Sequence, residues 1–479
     1  MVALNPVRLL IRQIGLALAR AGLVDEHRVD RTVDLAWPRI VTGIARMSKN
    51  AADVAMVGVG VGPTAIAGVG FASPFWGTAF TIGGGLAAGT IALVSQRFGA
   101  EAYDELGVAV RASALLVVAL SIPLSVLFWT FPGELIGLLT GDPETIGYGV
   151  EYLRLLALGV PFAGLNLIGS RTFIGVDDAW TPMLFRGGGA TANVALNAVF
   201  IFGLDMGVTG AALGTVLANV LVTAAFAGAL VAGRFPGIGD LPIRVSPAGR
   251  YAHRDTITDV VSIGTPVVGR NLVWTVSRFP MLAIVGLFGP TVVAAYVISR
   301  RIWGLINTPG WGFGLAASSL VGQSLGEGDE TTAEAFAREI TLVSVATYVV
   351  AAAIAIAFAE PIVSLFVGAG ETETIAIAIP LVYAAALAVV FQGVTSTIAG
   401  ALDATGDTRW PFYSRAIGMV GLAIPVTYVG ATTALGLWGL YLSYFAQTVV
   451  PAAINYWRFS TGEWKAISRE YRPETSLDD

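Results

Sequence analysis

A dozen apolar runs of bilayer-spanning length constrain this chain more than any other feature. They lie near 34–58, 64–94, 106–131, 147–173, 182–203, 208–232, 260–287, 291–321, 339–358, 374–400, 411–430 and 436–457. A transmembrane helix needs about 20 mostly apolar residues, so each run is read as one crossing. The expected fold is an all-α polytopic membrane protein with twelve transmembrane helices. Charge supports this. Only 13% of the 479 residues are charged, against about 25% in soluble globular proteins, too few to cover a water-soluble body of this length. The 58 glycines and 22 prolines suit membrane helices, where small residues allow close packing and freed backbone groups find partners in the bundle.

The connecting segments alternate in charge. Those at 59–63, 132–146, 203–207, 287–290, 359–373 and 430–435 contain no Lys or Arg, and several carry acids such as Glu134, Asp142, Glu144, Asp205, Glu371 and Glu373. The opposite side holds Arg97, Arg111, Arg234, Arg244, Arg338, Arg409, Arg458 and Lys465 among others. The positive-inside rule then places both termini in the cytoplasm, in a cell (plasma) membrane. The longest polar connection divides six crossings from six. The expected organisation is a cytoplasmic amphipathic segment over 1–32, a six-helix bundle over 33–232, a cytoplasmic linker over 233–259, a second bundle over 260–457 and a cytoplasmic tail over 458–479, which ends in the solvated acidic run TSLDD.

The halves repeat one another at an offset of about 228 residues. Pro38 and Gly58 answer Pro266 and Gly286, LVSQRFG (93–99) answers LVGQSLG (320–326), and DDAWTPMLFR (177–186) answers GDTRWPFYSR (406–415). An even number of helices per copy gives both copies the same topology and implies a pseudo-two-fold axis along the membrane normal, an arrangement suited to alternating access.

Chemistry concentrates on the first crossing. Over Asp34–Gly58 it carries Arg39, Arg46, Lys49 and Asp53, spaced seven, three and four, on one helical stripe. A charge at bilayer depth costs about 2.5–3.5 kcal/mol on insertion scales, so such residues face a bundle interior or a water-filled path. Asp53 is the one acid well inside a predicted crossing, and its counterpart in the repeat is Met281. A carboxylate at low dielectric can bind a cation or hold a proton; the alternative is an inert salt bridge to Lys49, one turn away. Depth along the helices brings Asn193 and Asn197 of the fifth crossing, Thr215 of the sixth and Tyr152 of the fourth to a similar level. Their oxygens suit a hard cation such as Na+, so Asp53 is also the candidate metal ligand. Each Asn or Thr alone reads equally well as a helix–helix hydrogen bond. Arg46, Lys49, Arg278 and Arg300 are candidates for a substrate cavity, with anionic recognition and buried pairing both open.

Cysteine is absent, so disulfides and thiolate metal sites are excluded, and the two histidines, His27 and His253, fall in polar connecting segments. Without convergent acids and histidines, an enzyme is not expected. The glycines at 83–85 and 89 are followed by no Gly-Lys-Ser/Thr, so they read as close helix packing or a hinge, and ATP is not the expected energy source.

The runs AADVAMVG, GLAAGTIALVSQRFGAEAYDE, NAVFIFGLDMGVTGAALGT, GLAASSLVGQSLGEGD and AGALDATGDTRWP together resemble the multidrug and toxic compound extrusion (MATE) family over nearly the whole chain after residue 33. The resemblance implies two pseudo-symmetric six-helix bundles and an antiporter that exports small organic molecules and xenobiotics in exchange for Na+ or H+, with an essential Asp at position 53 and no other cofactor. In the archaeal and DinF-like branch, which it resembles most, the fifth helix carries Asn-x-x-x-Asp. Here the second position is Asn197, which leaves Asp53 the lone titratable group of the cluster. The expected partners are a small-molecule substrate and the lipid bilayer, with no nucleic acid, and the protein is expected to work as a monomer. A flippase for an anionic lipid-linked precursor, or an exporter of organic anions, is the alternative that the deep arginines suggest.

Overall fold

The computed structural model describes residues 5–364 and 372–472. Glu371 and the run TSLDD lie outside the described residues. The N-terminal segment forms α1 (Pro6–Arg20), capped by the Asn5 side chain, which accepts from the Val7 and Arg8 amides at 3.0 and 3.4 Å. Proline at the first helical position costs nothing, since that N–H has no helical partner. Arg8 and Arg12 reach Asp34 and Asp30 at 2.9 and 2.7 Å on α2 (Glu26–Gly60). The hydrogen bond from Arg12 holds the Asp30 carboxyl below its usual range. The pair therefore contributes at pH values above the ordinary carboxylate pKa and is lost as pH falls through the lowered one.

Then follow α3 (Pro63–Gly99), α4 (Tyr103–Thr130), the short α5 (Pro132–Gly137), α6 (Pro143–Gly175), α7 (Trp180–Ala198), which passes into a π-helical stretch at Val199–Gly203, and α8 (Gly207–Ala232). A small hairpin pairs Arg234–Phe235 with Gly239–Asp240 in the linker. Next are α9 (Arg254–Val276), α10 (Arg278–Gly286), α11 (Pro290–Ile306), α12 (Pro309–Gly326), α13 (Glu330–Ala357) and the short α14 (Ala359–Ser364). The chain continues with α15 (Thr372–Thr405), α16 (Arg409–Ala416), a π stretch at Ile417–Ala423, α17 (Ile424–Thr432), α18 (Trp438–Ser460) and α19 (Glu463–Glu470).

The protein is an all-α membrane protein of twelve crossings in two six-helix halves: α2, α3, α4, α6, α7 and α8, then α9–α10, α11–α12, α13, α15, α16–α17 and α18. Among the described residues, seven helical runs are long and apolar enough to cross a membrane by length and composition. The others fall short for local reasons. The first carries its charges in mid-span, the fifth carries Arg186, three glycines and two asparagines, the seventh and eighth are interrupted at Ser277 and at Asn307–Thr308, and the twelfth buries Gln447, Thr448 and Asn455. The apolar runs continue across both interruptions because most flanking residues are apolar, although Arg278 directly follows the first. The short helices α5 and α14 fall at corresponding places in the two halves, and the fifth and eleventh crossings each contain a π stretch, which repeats the duplication at the level of structure.

The chain divides by packing into two compact units. One is Val41–Gly264; the other joins the residues up to Ile40 to those from Thr265 onward. Both divisions fall close to a proline inside a helix, Pro38 of α2 and Pro266 of α9, so the first and seventh crossings each supply residues to both units. In the Val41–Gly264 unit, Val57, Val69, Phe128, Leu153 and Ile201 form one apolar cluster, and Val94, Phe173, Phe185, Phe226 and Ile243 form another. Gly89 packs against Val260, whose carbonyl oxygen would lie 2.6 Å from an added Cβ, in keeping with the packing role read for that glycine.

In the other unit, α12 and α15 cross backbone to backbone: a Cβ on Gly400 would collide with the Gly314 carbonyl. Neither backbone can yield cheaply, and overpacking costs about 1–3 kcal/mol. Gly400→Ala is expected to lower the melting temperature of purified protein; an unchanged value would mean that the two helices separate freely.

Candidate functional site

The Val41–Gly264 unit encloses a cavity of about 410 Å³. The stretch of α7 between Phe185 and Ile201, which connects the two apolar clusters, forms part of its wall. Arg46, Lys49 and Asp53 reach it from α2, Tyr152 and Asn166 from α6, Arg186 and Asn193 from α7, and Thr215 and Asn219 from α8. The stripe on α2 thus divides: Arg46, Lys49 and Asp53 line the cavity, whereas Arg39 lies 5.9 Å over the Trp311 ring in the other unit.

Asp53 is buried and fully coordinated. Its Oδ2 accepts from the Lys49 ammonium at 2.7 Å, and its Oδ1 accepts from the Asn197 amide at 2.9 Å. The Asn193 amide is oriented so that nitrogen faces the carboxylate, since the reverse would set two acceptor oxygens against each other. It donates to the same Oδ1 at 2.8 Å, and its oxygen accepts from Thr215 at 3.1 Å. Thr215 extends the network: its carbonyl accepts from Asn219 at 2.8 Å, and Asn219 accepts from Asn166 at 3.0 Å. Tyr152 is buried beside Thr215 and Asp53. The residues named from the sequence for the cation cluster therefore come together, and the Lys49–Asp53 pair foreseen as the inert alternative is formed as well.

The Asn197 Oδ1 is buried without a hydrogen-bond partner and packs against Gly214, where a Cβ would collide with it, while the nitrogen of the same amide faces Asp53. The Asn193 oxygen is likewise turned away, toward Thr215, so the neutral oxygens nearest the carboxylate are the hydroxyls of Thr215 and Tyr152. Among the described residues no group of three or more His, Cys, Asp or Glu stands ready for a metal.

The cavity wall is otherwise positive. Arg46, Lys49 and Arg186 face a single acid, Asp53, and Arg171 and Arg46 lie within electrostatic reach of Arg186. Arg186 was not singled out in the sequence. It sits in the first turns of α7, where a basic residue looks like an interface anchor, but it occupies the same place in the repeat as Arg415, which could have marked it.

Arg278 and Arg300 do not line this cavity; both belong to the other unit. Their guanidiniums lie 5.6 and 5.3 Å from the Trp274 ring centre, and Arg415 approaches the same ring at 5.2 Å. That unit also buries carboxylates, Asp403 and Asp407. Asp403, just past the predicted end of the tenth crossing, accepts two hydrogen bonds from Arg270 at 3.1 and 2.7 Å.

One family model, MatE, matches the chain twice, over residues 38–199 and 266–429; the starts are separated by the repeat offset. The chain is 28% identical to a probable multidrug resistance protein NorM of Bradyrhizobium diazoefficiens over 92% of its length and 95% of that protein. It is 27% identical to the multidrug resistance protein PmpM of Pseudomonas aeruginosa, with 86% of each covered. A solved MOP superfamily transporter from Pyrococcus furiosus shares the fold with a TM-score of 0.84 at 20% identity, over 97% of this chain and 99% of that one. With both halves matched by the same model, the chain belongs to the MatE family: it is a multi-pass membrane transporter and not an enzyme.

Proposed function

We propose that the protein is a secondary active antiporter that exports small organic molecules from the cell by alternating access, coupled to inward movement of Na+ or H+ at Asp53. The observation that carries this reading is the single buried carboxylate held by Lys49, Asn193 and Asn197 on the wall of a cavity. Both relatives named above are described as multidrug resistance proteins, which supports the export of xenobiotics.

Coupling follows from charge balance. With Lys49 paired, Asp53 carries no net local charge. A proton on Asp53, or a Na+ bound by Asp53 with the Thr215 and Tyr152 hydroxyls, displaces the Lys49 ammonium and leaves the cavity wall more positive. The ion can drive transport only if it binds the outward-open and inward-open states with different affinity, and movement of a tethered cation between carboxylate and cavity supplies such a difference. The protein needs no other cofactor in this scheme and works as a monomer.

The positive wall favours a second reading of the cargo. With Arg46, Lys49 and Arg186 against one Asp, a cationic dye would be repelled at close range, and an organic anion or zwitterion would be held. Purified protein in vesicles, with Na+ and H+ gradients imposed separately, tests the coupling. Uphill export under one gradient and not the other identifies the ion, and no uphill export under either removes the antiporter reading.

We also propose that both termini and the 233–259 linker are cytoplasmic, with the bundles at 33–232 and 260–457, on the strength of the charge alternation. The chain has no cysteine, so introduced thiols can be read without background. Asp142 is a poor site for one, because its side chain caps α6 at the Thr145 amide. Cysteine at Gly141, where a side chain meets nothing within 4 Å, should react with an impermeant reagent in intact cells. Cysteine at the exposed Asp240 should react only after the membrane is opened. The reverse pattern would invert the topology.

A further inference from the structure

The unit that begins at Thr265 contains a cluster of cations that the coupling scheme does not use. Arg278 of α10, Arg300 of α11 and Arg415 of α16 come from separate helices, yet their guanidiniums all lie 5.2–5.6 Å from the centre of one indole ring, Trp274 of α9. Arg300 also lies 4.6 Å from the Trp303 ring centre and 6.0 Å from that of Tyr444. The two indoles pack at 5.3 Å with 32° between their planes. Gln447 of α18 ties the group together: its side-chain oxygen accepts from Arg300 at 3.1 Å and its backbone carbonyl from Arg415 at 3.3 Å.

Among the described residues no carboxylate balances these three charges. Asp403 is engaged by Arg270 at 2.7 Å, and among the described residues Arg278, Arg300 and Arg415 have no acidic partner. Ring faces and carbonyls attract guanidiniums but do not cancel the repulsion among them, which low dielectric magnifies. A separate observation points the same way. The indole N–H of Trp303, a residue only 3% exposed, has no hydrogen-bond partner, although buried polar groups are ordinarily paired. Three unneutralised guanidiniums and an unused N–H are all donors, and none of the four is an acceptor. The missing component is an acceptor that carries negative charge.

We infer that this cluster is an anion-binding site, distinct from the Asp53 cavity, for an amphipathic organic anion: an acidic head shared by Arg278, Arg300 and Arg415, and a flat apolar body against Trp274 and Trp303. The aromatic walls distinguish it from a site for small inorganic anions, which would gain nothing from ring faces. The inference uses the transporter reading only in treating the anion as cargo. Binding needs no gradient and no Asp53, so its failure leaves the coupling scheme standing, and the failure of coupling leaves the site standing.

The test is equilibrium binding to full-length protein in nanodiscs of zwitterionic lipid, with 1-naphthalenesulfonate as the anion and 1-naphthylmethylammonium as a cation of similar shape. The sulfonate should bind at least tenfold more tightly. Arg300→Gln and Arg415→Gln should each weaken sulfonate binding about tenfold, whereas Arg301→Gln, an exposed neighbour outside the cluster, should leave it unchanged. Since each variant removes one of several like charges, ligand-free Arg300→Gln should melt no lower than the parent protein, and the sulfonate should raise the melting temperature of the parent more than that of the variant. Displacement of the sulfonate by phosphatidylglycerol added to the disc would support the site and name a lipid head group as its occupant; indifference to that lipid would support a soluble anion. Equal binding of the two naphthalenes, or sulfonate binding unchanged in an Arg300→Gln/Arg415→Gln double variant, would overturn the inference. So would a ligand-free Arg300→Gln that melts far below the parent, because the guanidinium would then already be compensated within the protein.

Discussion

Asp53→Asn is expected to reduce gradient-driven export to passive equilibration, with no accumulation against the substrate gradient, while the protein continues to fold. The substitution keeps volume and hydrogen-bonding capacity but removes the charge and the titratable proton. Both Oδ atoms of Asp53 accept hydrogen bonds, two at Oδ1 from Asn193 and Asn197 and one at Oδ2 from Lys49, so an amide here turns one acceptor into a donor that faces a donor. Lys49 loses its counter-ion. Breaking a fully buried pair costs about 3–5 kcal/mol, but Lys49 lines the cavity and its side chain is 19% exposed, which puts the cost at the low end. A double variant, Lys49→Gln/Asp53→Asn, removes that cost and should fold as well as the parent yet remain uncoupled. Loss of uphill export in both variants, with substrate binding retained, is the expected result. Uphill export at the parental rate in the folded double variant would remove Asp53 from coupling and turn attention to the acid held by Arg270. Met281→Gln, at the matching place in the other half, should leave coupling intact.

Much of the site was legible because helix periodicity is rigid. Spacings of three and four place Arg46, Lys49 and Asp53 on one face, and four residues separate Asn193 from Asn197, so each set had to face one neighbour wherever its helix packed. Rise per residue then fixed which polar groups on α2, α6, α7 and α8 share a depth. What periodicity could not supply is contact between elements distant in sequence. Nothing local links Trp274 to Arg415 or Gln447; only the packing of α9, α16 and α18 brings them together. For the same reason Arg278 and Arg300 read from the sequence as candidates for the same cavity as Arg46, although the structure places them in the other unit.

The interruptions escaped for a different reason. Hydropathy averages over a window, and around Ser277 and Asn307–Thr308 the apolar neighbours outweigh the break, even with Arg278 directly after the first. Pro309 and Pro290 each open a helix, so proline marks the eighth crossing in retrospect, whereas Pro123, Pro161 and Pro380 lie inside continuous helices. Proline alone does not separate the two cases, because freed backbone groups in a bundle can find partners. The split of α2 and α9 between units is a tertiary property; Pro38 and Pro266 stand close to it, but prolines inside α4, α6 and α15 accompany no such split, so proline alone does not mark it.

The second large effect should be on folding, at Asp403, a buried carboxylate of the other unit. Asp403 and Arg270 have side-chain exposures of 10% and 17% and form two charge-assisted hydrogen bonds. Replacing Arg270 by Met keeps most of the volume but strands a carboxylate that its backbone has already committed to the interior, because Asp403 sits within the last turn of a continuous 34-residue helix. The loss should be about 3–5 kcal/mol, read as a fall in melting temperature and in the yield of monodisperse protein. Removing the partner as well should reverse it. Arg270→Met/Asp403→Leu is expected to approach or exceed the stability of the parent, since a well-packed apolar pair avoids desolvation of two charges. Asp403→Asn alone goes the other way electrostatically: Arg270 stays charged near Arg415, and the local excess of positive charge grows. That variant should bind 1-naphthalenesulfonate more tightly than the parent even as it becomes less stable, so affinity and stability move in opposite directions. If the double variant stays as unstable as Arg270→Met, the ion pair fixes the geometry between α9 and α15 in a way that apolar packing cannot replace.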